Sequence, residues 1–264
     1  MELTHIDGGA AFDFGRTSED YALYRDIYPA SLFDGLRAAG IGLQGQRILD
    51  LGTGTGAFPR GLYGGGAEFT GVDISPEQIR EAGRMARAGG MDIRFLAGAA
   101  EDVDFPPGSF DVVSAVQCFL YFDKDAVLPK IHRLLAEDGL FLTVWMAWLP
   151  GESEIARETE ALVLKYNPRW RGGGYAGQEA GDVPAWAAPL FSVRDAYAWT
   201  ENVPFSRESW MGRIRACRGV AAALDADATA AFDAEHGRML DGLSGDVFAV
   251  PHQILVRIFR KNPA

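Results

Sequence analysis

The stretch that decides the fold is RILDLGTGTG at positions 47–56. Its first five residues are mostly apolar, which predicts a buried strand of a parallel sheet. Glycine then alternates with threonine, and closely spaced glycines let the backbone turn sharply and approach a ligand, because no Cβ stands in the way. A helix is predicted from about Phe58, and its N-terminus offers free N–H groups and a positive dipole end. The stretch therefore predicts a strand, a tight turn and a helix that together bind a nucleotide-like ligand.

Acidic residues follow two neighbouring predicted strands. Asp50 stands at the carboxyl end of the first strand, where we expect it near a cationic group of the ligand. A second strand, 68–72, ends at Asp73, 17 residues after Gly56. An acid at this place can accept hydrogen bonds from both hydroxyls of a ribose. The alternative is that Asp73 only caps the next helix, which starts near Ser75.

Strands and helices alternate at short intervals along the rest of the chain. This alternation predicts a doubly wound α/β fold, in which helices cover both faces of a mostly parallel sheet. The segment 167–189 is long for a loop without function, so it is expected to be a lid or mobile. Further strands are predicted at 93–97, 110–116, 140–145, 192–200 and 253–259, and further helices at 124–136, 153–166, 206–218 and 226–241.

Composition excludes several classes of protein. The chain has 264 residues, 48% of them hydrophobic, which is typical of a globular protein. Its 36 acidic and 25 basic residues give a net charge of −11, which disfavours nucleic acid and an anionic membrane as partners. Two cysteines and four scattered histidines provide neither a disulfide framework nor the spacing of metal ligands. No apolar run is long enough to span a bilayer and the start of the chain is unlike a signal peptide, so a cytoplasmic location is expected.

The glycine turn leaves more than one ligand open. Positions 52–57 also satisfy the relaxed dinucleotide motif G-x-G-x-x-A, which would make the chain an NAD-dependent oxidoreductase. Asp50 counts against this alternative, because a carboxylate repels a pyrophosphate, whereas it stabilises a sulfonium or an amino group. A Tyr-x-x-x-Lys pair, which would favour an oxidoreductase, is absent from the sequence. A protein that binds a cofactor without catalysis is the third alternative.

Beyond the glycine turn, the chain carries GVDISP at 71–76, GAAED at 98–102 and PGSFDVV at 107–113. These stretches and RILDLGTGTG resemble the motifs of the class I S-adenosylmethionine-dependent methyltransferases. DGLFL at 138–142 looks like the next unit of that family, so the resemblance covers about residues 45–145. It implies that S-adenosylmethionine is the cofactor and that the enzyme is a methyltransferase.

Two further stretches resemble one branch of the family. YALYRDIYP at 21–29 and QCFLYFD at 117–123 look like the type 11 branch, which includes small-carboxylate methyltransferases such as the trans-aconitate enzymes. The resemblance implies a Rossmann-like, seven-stranded, mostly parallel sheet with an antiparallel last strand, plus helical lid elements. It also implies a small-molecule acceptor, methylated at a carboxylate oxygen or an amine nitrogen by direct in-line displacement. The oligomeric state is not implied.

The resemblance implies a set of residues around the cofactor. Those expected to surround its methionine part after the first strand are Asp50, Gly52, Thr53 and Gly54. Those expected at the ribose and adenine are Asp73, Ile74, Ala100 and Glu101, the last two mostly through their backbone. Those expected on the methionine side after the fourth strand are Gln117, Cys118 and Phe119. The N-terminal residues expected to close over the cofactor are Tyr24 and Arg25.

Two positions depart from the family's pattern. Ala99 stands where many members have an acid, so a side-chain contact to the adenine amine is lost. Leu120 and Tyr121 stand where the related pattern often has His-Trp, so a histidine base is absent. Tyr121 is then the candidate catalytic residue, because its hydroxyl is the polar group of this stretch that can reach a substrate; the alternative is that residues 120–122 are plain core.

Substrate residues are predicted on the second half of the chain. Trp145 ends the fifth strand, where ligands collect in α/β sheets. Arg213 and Arg218 border the apolar face of a predicted helix and can receive a carboxylate through two hydrogen bonds; the alternative for each is a solvated surface.

We expect a single methyltransferase domain over 1–264, divided into an N-terminal lid and helix at 1–40, a cofactor-binding core at 45–145, and substrate-side caps at 146–190 and 204–246. Residues 12–29 and 167–189 are expected to close over the site.

Overall fold

The computed structural model describes residues 3, 5–181, 184–188 and 190–263. Three residues of the predicted N-terminal lid, Met1, Glu2 and Thr4, therefore lie outside the described residues. The same holds for parts of the predicted segment 167–189 and for the C-terminal residue, namely Asp182, Val183, Pro189 and Ala264.

The described residues form one seven-stranded sheet. Its strands are β1 Arg47–Leu51, β2 Glu68–Asp73, β3 Ile93–Ala97, β4 Phe110–Val116, β5 Leu135–Trp148, β6 Phe191–Ser206 and β7 Val247–Lys261. Their order across the sheet is β3-β2-β1-β4-β5-β7-β6. The pairs β1 with β2, β1 with β4, β2 with β3 and β4 with β5 are parallel, and the last strand is antiparallel. The predicted Rossmann-like fold is thus confirmed.

Helices connect the strands as the alternating pattern predicted. The α-helices of the described part are α1 Ser18–Tyr24, α2 Ala30–Ala38, α3 Ala57–Leu62, α4 Pro76–Ala88, α5 Lys124–Leu134, α6 Glu154–Tyr166, α7 Arg207–Arg215 and α8 Ala226–Leu243. Short 3-10 turns occur at Asp7–Gly9, Phe14–Thr17, Tyr63–Gly65, Ala100–Asp102 and Phe119–Tyr121. None of the helices in the described ranges is both long enough and apolar enough to cross a membrane.

The chain divides into two compact units. The first consists of Met1–Ile27, Ala147–Gly177 and Thr200–Gln253, and the second consists of Tyr28–Met146, Gln178–Trp199 and Ile254–Ala264. The second unit therefore contains β1 to β4 and α2 to α5. The expectation of a single methyltransferase domain stays a prediction.

The core of the second unit lies between the sheet and α5. Leu49, Val113 and Ile131 are fully buried there, on β1, β4 and α5 respectively. The ring of Phe141 on β5 stacks on that of Phe259 on β7, with 5.8 Å between the centroids. This packing fixes the central strands, and hence the turns at their carboxyl ends.

In the first unit, a chain of polar contacts links three of the helices. Trp210, on α7, is fully buried and donates its indole N–H to Thr159 Oγ1 of α6, over 3.1 Å. The same oxygen lies 3.1 Å from His236 Nε2 of α8. Burial lowers the pKa of His236 to about 4, so this ring is neutral at physiological pH.

Candidate functional site

The glycine turn after β1 is held in left-handed backbone conformations. Gly52, Gly54 and Gly56 have φ angles of +66°, +57° and +76°, which residues other than glycine rarely adopt. A Cβ at Gly52 would lie 2.6 Å from the Sγ atom of Cys118, and one at Gly56 would lie 2.8 Å from the ring of Phe95. Both conformation and space thus require glycine at positions 52 and 56.

Asp73 joins the ends of two strands. Its Oδ2 accepts a hydrogen bond from the backbone N–H of Gly54 and its Oδ1 accepts one from that of Ser75, both over 2.9 Å. Ser75 in turn caps α4 by accepting from the N–H of Gln78 over 3.3 Å. The alternative, in which Asp73 only caps the next helix, therefore leaves its hydrogen bond to Gly54 unexplained. Ile74, predicted beside the adenine, is an apolar side chain that is 54% exposed.

Asp50 is a buried carboxyl with one well-defined donor. It is 1% exposed, and its Oδ1 accepts a hydrogen bond from Ser114 Oγ over 2.7 Å. Burial raises the pKa of Asp50 to about 7, with a further contribution from the carboxyl of Asp73. A cation beside Asp50 would favour its charged form, so this carboxyl is suited to a positively charged ligand group.

Cys118, which follows β4, is a neutral thiol. Its Sγ donates a hydrogen bond to the carbonyl oxygen of Leu51 over 3.0 Å. Burial and the carboxyls of Asp50 and Asp73 raise its pKa well above the usual range. Cys118 consequently packs against the glycine turn and does not act as a thiolate nucleophile.

Ala100 and Glu101 lie in the 3-10 turn at Ala100–Asp102. The side chain of Ala100 is buried in the core, while that of Glu101 accepts a hydrogen bond from the backbone N–H of Asp123 over 2.9 Å. Asp123 is the N-cap of α5. Both side chains are thus used within the fold, and the expected contact of these residues with the adenine, mostly through their backbone, stays a prediction.

Gln117 has a role in the structure that its sequence context did not reveal. Its φ is +64°, although it is not glycine. Its side-chain amide donates to the carbonyl oxygen of Met146 and accepts from the N–H of the same residue, the latter over 3.1 Å. Because both ends of the amide bind the β5 backbone, the predicted contact of Gln117 with the cofactor would fall to its main chain.

Phe119 and Tyr121 belong to the 3-10 turn after β4. The ring of Phe119 packs against Trp186, with 4.7 Å between the centroids, and the ammonium of Lys124 lies 5.3 Å from its centroid. Tyr121 is half-buried, and its backbone N–H donates to the carbonyl oxygen of Cys118. The catalytic role of Tyr121 stays a prediction.

A cavity of about 510 Å³ in the second unit brings together two of the predicted residues, Phe119 and Trp145. We call it the Trp145 cavity. Sequence analysis assigned Lys124 and Arg257 no role, yet both contribute to its lining. The aromatic, aliphatic and basic side chains of its lining include Phe119, Lys124, Trp145, Trp186, Leu255 and Arg257.

The predicted closing residues Tyr24 and Arg25 are described within the first unit. The hydroxyl of Tyr24 donates to Glu208 Oε1 over 3.0 Å. The guanidinium of Arg25 lies 4.8 Å from the ring centroid of Tyr21 and contacts the Sγ atom of Cys217 at 3.5 Å. Their predicted contact with the cofactor stays a prediction.

Arg213, predicted to receive a carboxylate, is 2% exposed in the first unit. The predicted alternative of a solvated surface is therefore wrong for this residue. Its Nη2 donates to Nε2 of His252 over 3.3 Å, and its guanidinium lies 5.3 Å from the ring centroid of Trp148. Burial and the charge of Arg213 lower the pKa of His252 to about 3, which keeps the imidazole an acceptor.

Arg218 binds a carboxylate of its own chain. Its Nε and Nη2 donate to the two carboxylate oxygens of Asp7, over 2.6 and 3.2 Å, and the two side chains are 11% and 6% exposed. Asp7 also accepts from the backbone N–H of Arg171 over 2.6 Å. Since this carboxylate already occupies the bidentate position, Arg218 does not enter the function proposed below.

Sequence comparison identifies the family of the central segment. Residues 48–139, from β1 to the start of β5, match the family model described as a methyltransferase domain. Together with the strand order and the glycine turn, this match defines the class of the matched segment: residues 48–139 belong to a class I S-adenosylmethionine-dependent methyltransferase domain. Members of this class use S-adenosylmethionine as their cofactor.

Individual relatives match parts of the chain. The demethylmenaquinone methyltransferase of Thermus thermophilus is 40% identical over 97 residues, which is 36% of this chain and 44% of that protein. The uncharacterized methyltransferase YcgJ of Bacillus subtilis is 33% identical over 177 residues, or 64% of this chain and 65% of the relative. The chain thus spans about half the length of the curated relatives it matches.

Solved structures show the same fold. The crystal structure of YcgJ superposes with a TM-score of 0.55 at 22% identity, covering 89% of this chain and 100% of the other. The structure of the [4+2]-cyclase SpnF superposes with a TM-score of 0.54 at 21% identity, covering 89% and 82%. At this level of identity the likeness concerns the fold alone.

Proposed function

We propose that this protein transfers the methyl group of S-adenosylmethionine to a small-molecule acceptor, at a carboxylate oxygen or an amine nitrogen. The observation that carries the proposal is the Asp73 carboxylate, which is bound to the glycine turn and to the start of α4 at once. After these two hydrogen bonds, each of its oxygens keeps a lone pair. These lone pairs suit the two hydroxyls of a ribose.

The residues present fit the cofactor. Glycine at positions 52 and 54 leaves the backbone of the turn free of side chains, and the exposed Ile74 offers an apolar surface to an adenine ring. Asp50 offers a carboxyl whose ionisation a cationic group would favour. In this proposal Asp50, Thr53 and the main chain of Gln117 hold the methionine part, and the main chain at Ala100 and Glu101 meets the adenine edge.

Bound S-adenosylmethionine supplies a methyl group on a sulfonium, which is already a good leaving group. The protein's task is then to align the acceptor with that carbon and to exclude water. A carboxylate acceptor is ionised at neutral pH and needs no base. An amine must only lose a proton, and in this proposal Tyr121 or a water assists that loss. The absence of histidine from residues 114–123 is compatible with either acceptor.

Three observations support a small acceptor. The net charge of −11 disfavours nucleic acid as the substrate. The Trp145 cavity, at about 510 Å³, has the size of a small-molecule site. A relative named demethylmenaquinone methyltransferase also acts, by its name, on a small molecule.

The test has two parts. Calorimetry with S-adenosylmethionine, S-adenosylhomocysteine and NAD determines which cofactor binds, and methyl-labelled S-adenosylmethionine with a metabolite extract then reveals a labelled product. We expect binding of the first two ligands and a labelled small molecule. Asp73→Ala should weaken the binding and lower the yield of product, and the matched control Asp102→Ala, an exposed acid after β3, should change neither. Tight NAD binding would favour the oxidoreductase, and cofactor binding without any labelled product would favour the non-catalytic alternative.

A further inference from the structure

The Trp145 cavity combines aromatic walls with buried hydrogen-bond donors. Trp186 packs between Phe119 and Phe259, with centroid distances of 4.7 and 5.2 Å. Leu255 of β7 adds an aliphatic side chain to the lining. These surfaces suit a flat apolar body, which aromatic walls hold by stacking and by burial.

Two N–H groups of the cavity residues are unsatisfied in the described part of the chain. They are Nε1 of Trp145 and Nε of Arg257, and both atoms are buried. A buried donor without an acceptor costs free energy, and native proteins rarely leave one without a reason. Arg257 is held in place by a hydrogen bond from its Nη2 to the carbonyl oxygen of Glu179, over 3.2 Å. Its guanidinium is therefore oriented, while its buried Nε donor has no acceptor among the described residues.

The charge of the cavity is opposite to that of the protein as a whole. Lys124 and Arg257 contribute positive charge, and none of the described lining residues is acidic. Within the described ranges, neither cation forms an ion pair with a carboxylate, whereas many other arginines of the chain do. In a protein of net charge −11, two cations without carboxylate partners at one cavity favour an anionic ligand.

From these observations we infer that the Trp145 cavity binds the carboxylate of an organic acid with a flat apolar body. The carboxylate would accept hydrogen bonds from Trp145 Nε1 and Arg257 Nε, and the apolar body would lie against Trp186 and Phe119. This inference rests on the proposed function in one respect: it names the class of the methyl acceptor, a small aromatic or unsaturated acid.

Cinnamate serves as the probe, and cinnamyl alcohol serves as its neutral match. The indole cross-peaks of the six tryptophans are followed by proton–nitrogen NMR, and that of Trp145 is assigned with Trp145→Phe. We expect cinnamate to shift the Trp145 cross-peak in a saturable way and the alcohol to bind more weakly. Arg257→Met should weaken cinnamate binding by about tenfold or more, as expected for a lost charge-assisted hydrogen bond, and leave the alcohol unchanged.

Arg260→Met is the matched control, because Arg260 lies exposed on the same strand and its replacement changes the net charge equally. It should leave both affinities unchanged. If Arg257→Met does not fold, Lys124→Met replaces it, with a smaller expected loss. Equal cinnamate affinity in the parent and the variant, or an unmoved Trp145 cross-peak at about 10 mM cinnamate, overturns the inference.

Calorimetry with S-adenosylhomocysteine on the same preparations separates the two proposals. Arg257→Met is expected to bind it as the parent does. A parent that binds cinnamate in the expected way but not S-adenosylhomocysteine contradicts the proposed function and leaves the carboxylate site standing. A parent that binds S-adenosylhomocysteine but not cinnamate contradicts the carboxylate site alone.

Discussion

The carboxylate of Asp73 and the backbone N–H of Gly54 are joined by a hydrogen bond of 2.9 Å, although 19 residues separate them. Through this bond the end of β2 positions the glycine turn that follows β1. A residue expected to bind ribose therefore also shapes the turn expected to bind the rest of the cofactor. Because Asp73 has these two roles, its replacement by alanine and its replacement by asparagine are expected to have different effects.

Asp73→Ala removes both acceptor oxygens, whereas Asp73→Asn keeps one. We expect Asp73→Ala to weaken S-adenosylmethionine binding by about 1.5–3 kcal/mol, the range for hydrogen bonds to a charged group. Asp73→Asn should lose less, because its amide oxygen can still accept from Gly54. Calorimetry on the folded variants measures both, with Asp102→Ala as the control. Unchanged affinity in Asp73→Ala would remove this residue from the cofactor site.

Gly54→Val tests the turn itself. Valine at a φ of +57° is strained, and its branched side chain would fill the space where the backbone is expected to approach the cofactor. The matched control is Gly90→Val, since Gly90 has a φ of +65° and open space around it. Both variants should lose about 1–2 kcal/mol of stability. Only Gly54→Val should lose cofactor binding by calorimetry, and equal binding in both variants would show that the turn does not contact the cofactor.

Asp50 gives the free energy of unfolding a characteristic pH dependence. Its pKa is about 7 in the folded protein and 3.8 in the unfolded chain, so the folded state binds this proton more tightly. The contribution of Asp50 to stability is therefore greatest below pH 4, falls as the pH rises, and levels off above pH 7. The fall is of the order of 4 kcal/mol.

Urea unfolding between pH 4.5 and 8 measures this effect as the difference between the parent and Asp50→Asn. Asparagine cannot ionise and still accepts from Ser114, so the variant should lack this part of the slope. Parallel stability curves for the two proteins would contradict the raised pKa of Asp50.

Gln117 combines a strained backbone with a side chain that satisfies both polar groups of Met146. Gln117→Ala should destabilise the protein by about 2–4 kcal/mol, because these two groups lose their partners. Gln117→Gly loses the same bonds but relieves the positive φ, so it should be more stable than the alanine variant by about 1 kcal/mol. Chemical denaturation measures both, with the exposed Gln44→Ala as the control. A Gln117→Ala variant as stable as the parent would contradict the structural role.

The ion pair of Asp7 and Arg218 should contribute to the stability of the first unit. Asp7→Ala leaves the buried guanidinium without this carboxylate, which is expected to cost about 3–5 kcal/mol. Asp34→Ala is the control, because Asp34 is 75% exposed in its pair with Arg37 and should change stability by less than about 1 kcal/mol. Thermal unfolding compares the two variants, and similar melting temperatures would contradict the importance of the buried pair.

Local signals made the centre of the fold predictable. β1, β3 and β4 have the predicted bounds, because short apolar strands between glycine-rich turns give a clear pattern in a single sequence. β5 is longer than predicted: it begins at Leu135, directly after α5, whereas the sequence favoured continuing that helix to 136. Its start pairs with Phe110 across an irregularity in the register, which is a tertiary contact that periodicity does not show.

Contacts between distant residues were not predictable from local patterns. Arg218 meets Asp7 across 211 positions, so the helix pattern alone could only place Arg218 at the border of an apolar face. The side chain of Gln117 reaches Met146, 29 residues away, and the residues around Gln117 in the sequence do not indicate this partner. Arg257 and Lys124 lie on a strand and at the start of a helix, respectively, where basic residues are usually solvated, so their common cavity emerges only from the sheet order.

The half-ionised state of Asp50 has a calorimetric consequence. A carboxyl with a pKa of about 7 is protonated in roughly half of the molecules at neutral pH. Under the proposed function, binding of the positively charged methyl donor releases that proton to the buffer. S-adenosylhomocysteine lacks the sulfonium charge, so its binding releases a smaller fraction of a proton. The observed heat of binding therefore contains the ionisation enthalpy of the buffer, to a larger extent for the donor than for the product. Averaged over the molecules, each catalytic cycle would accordingly release about half a proton as the donor binds and recover it as the spent cofactor departs.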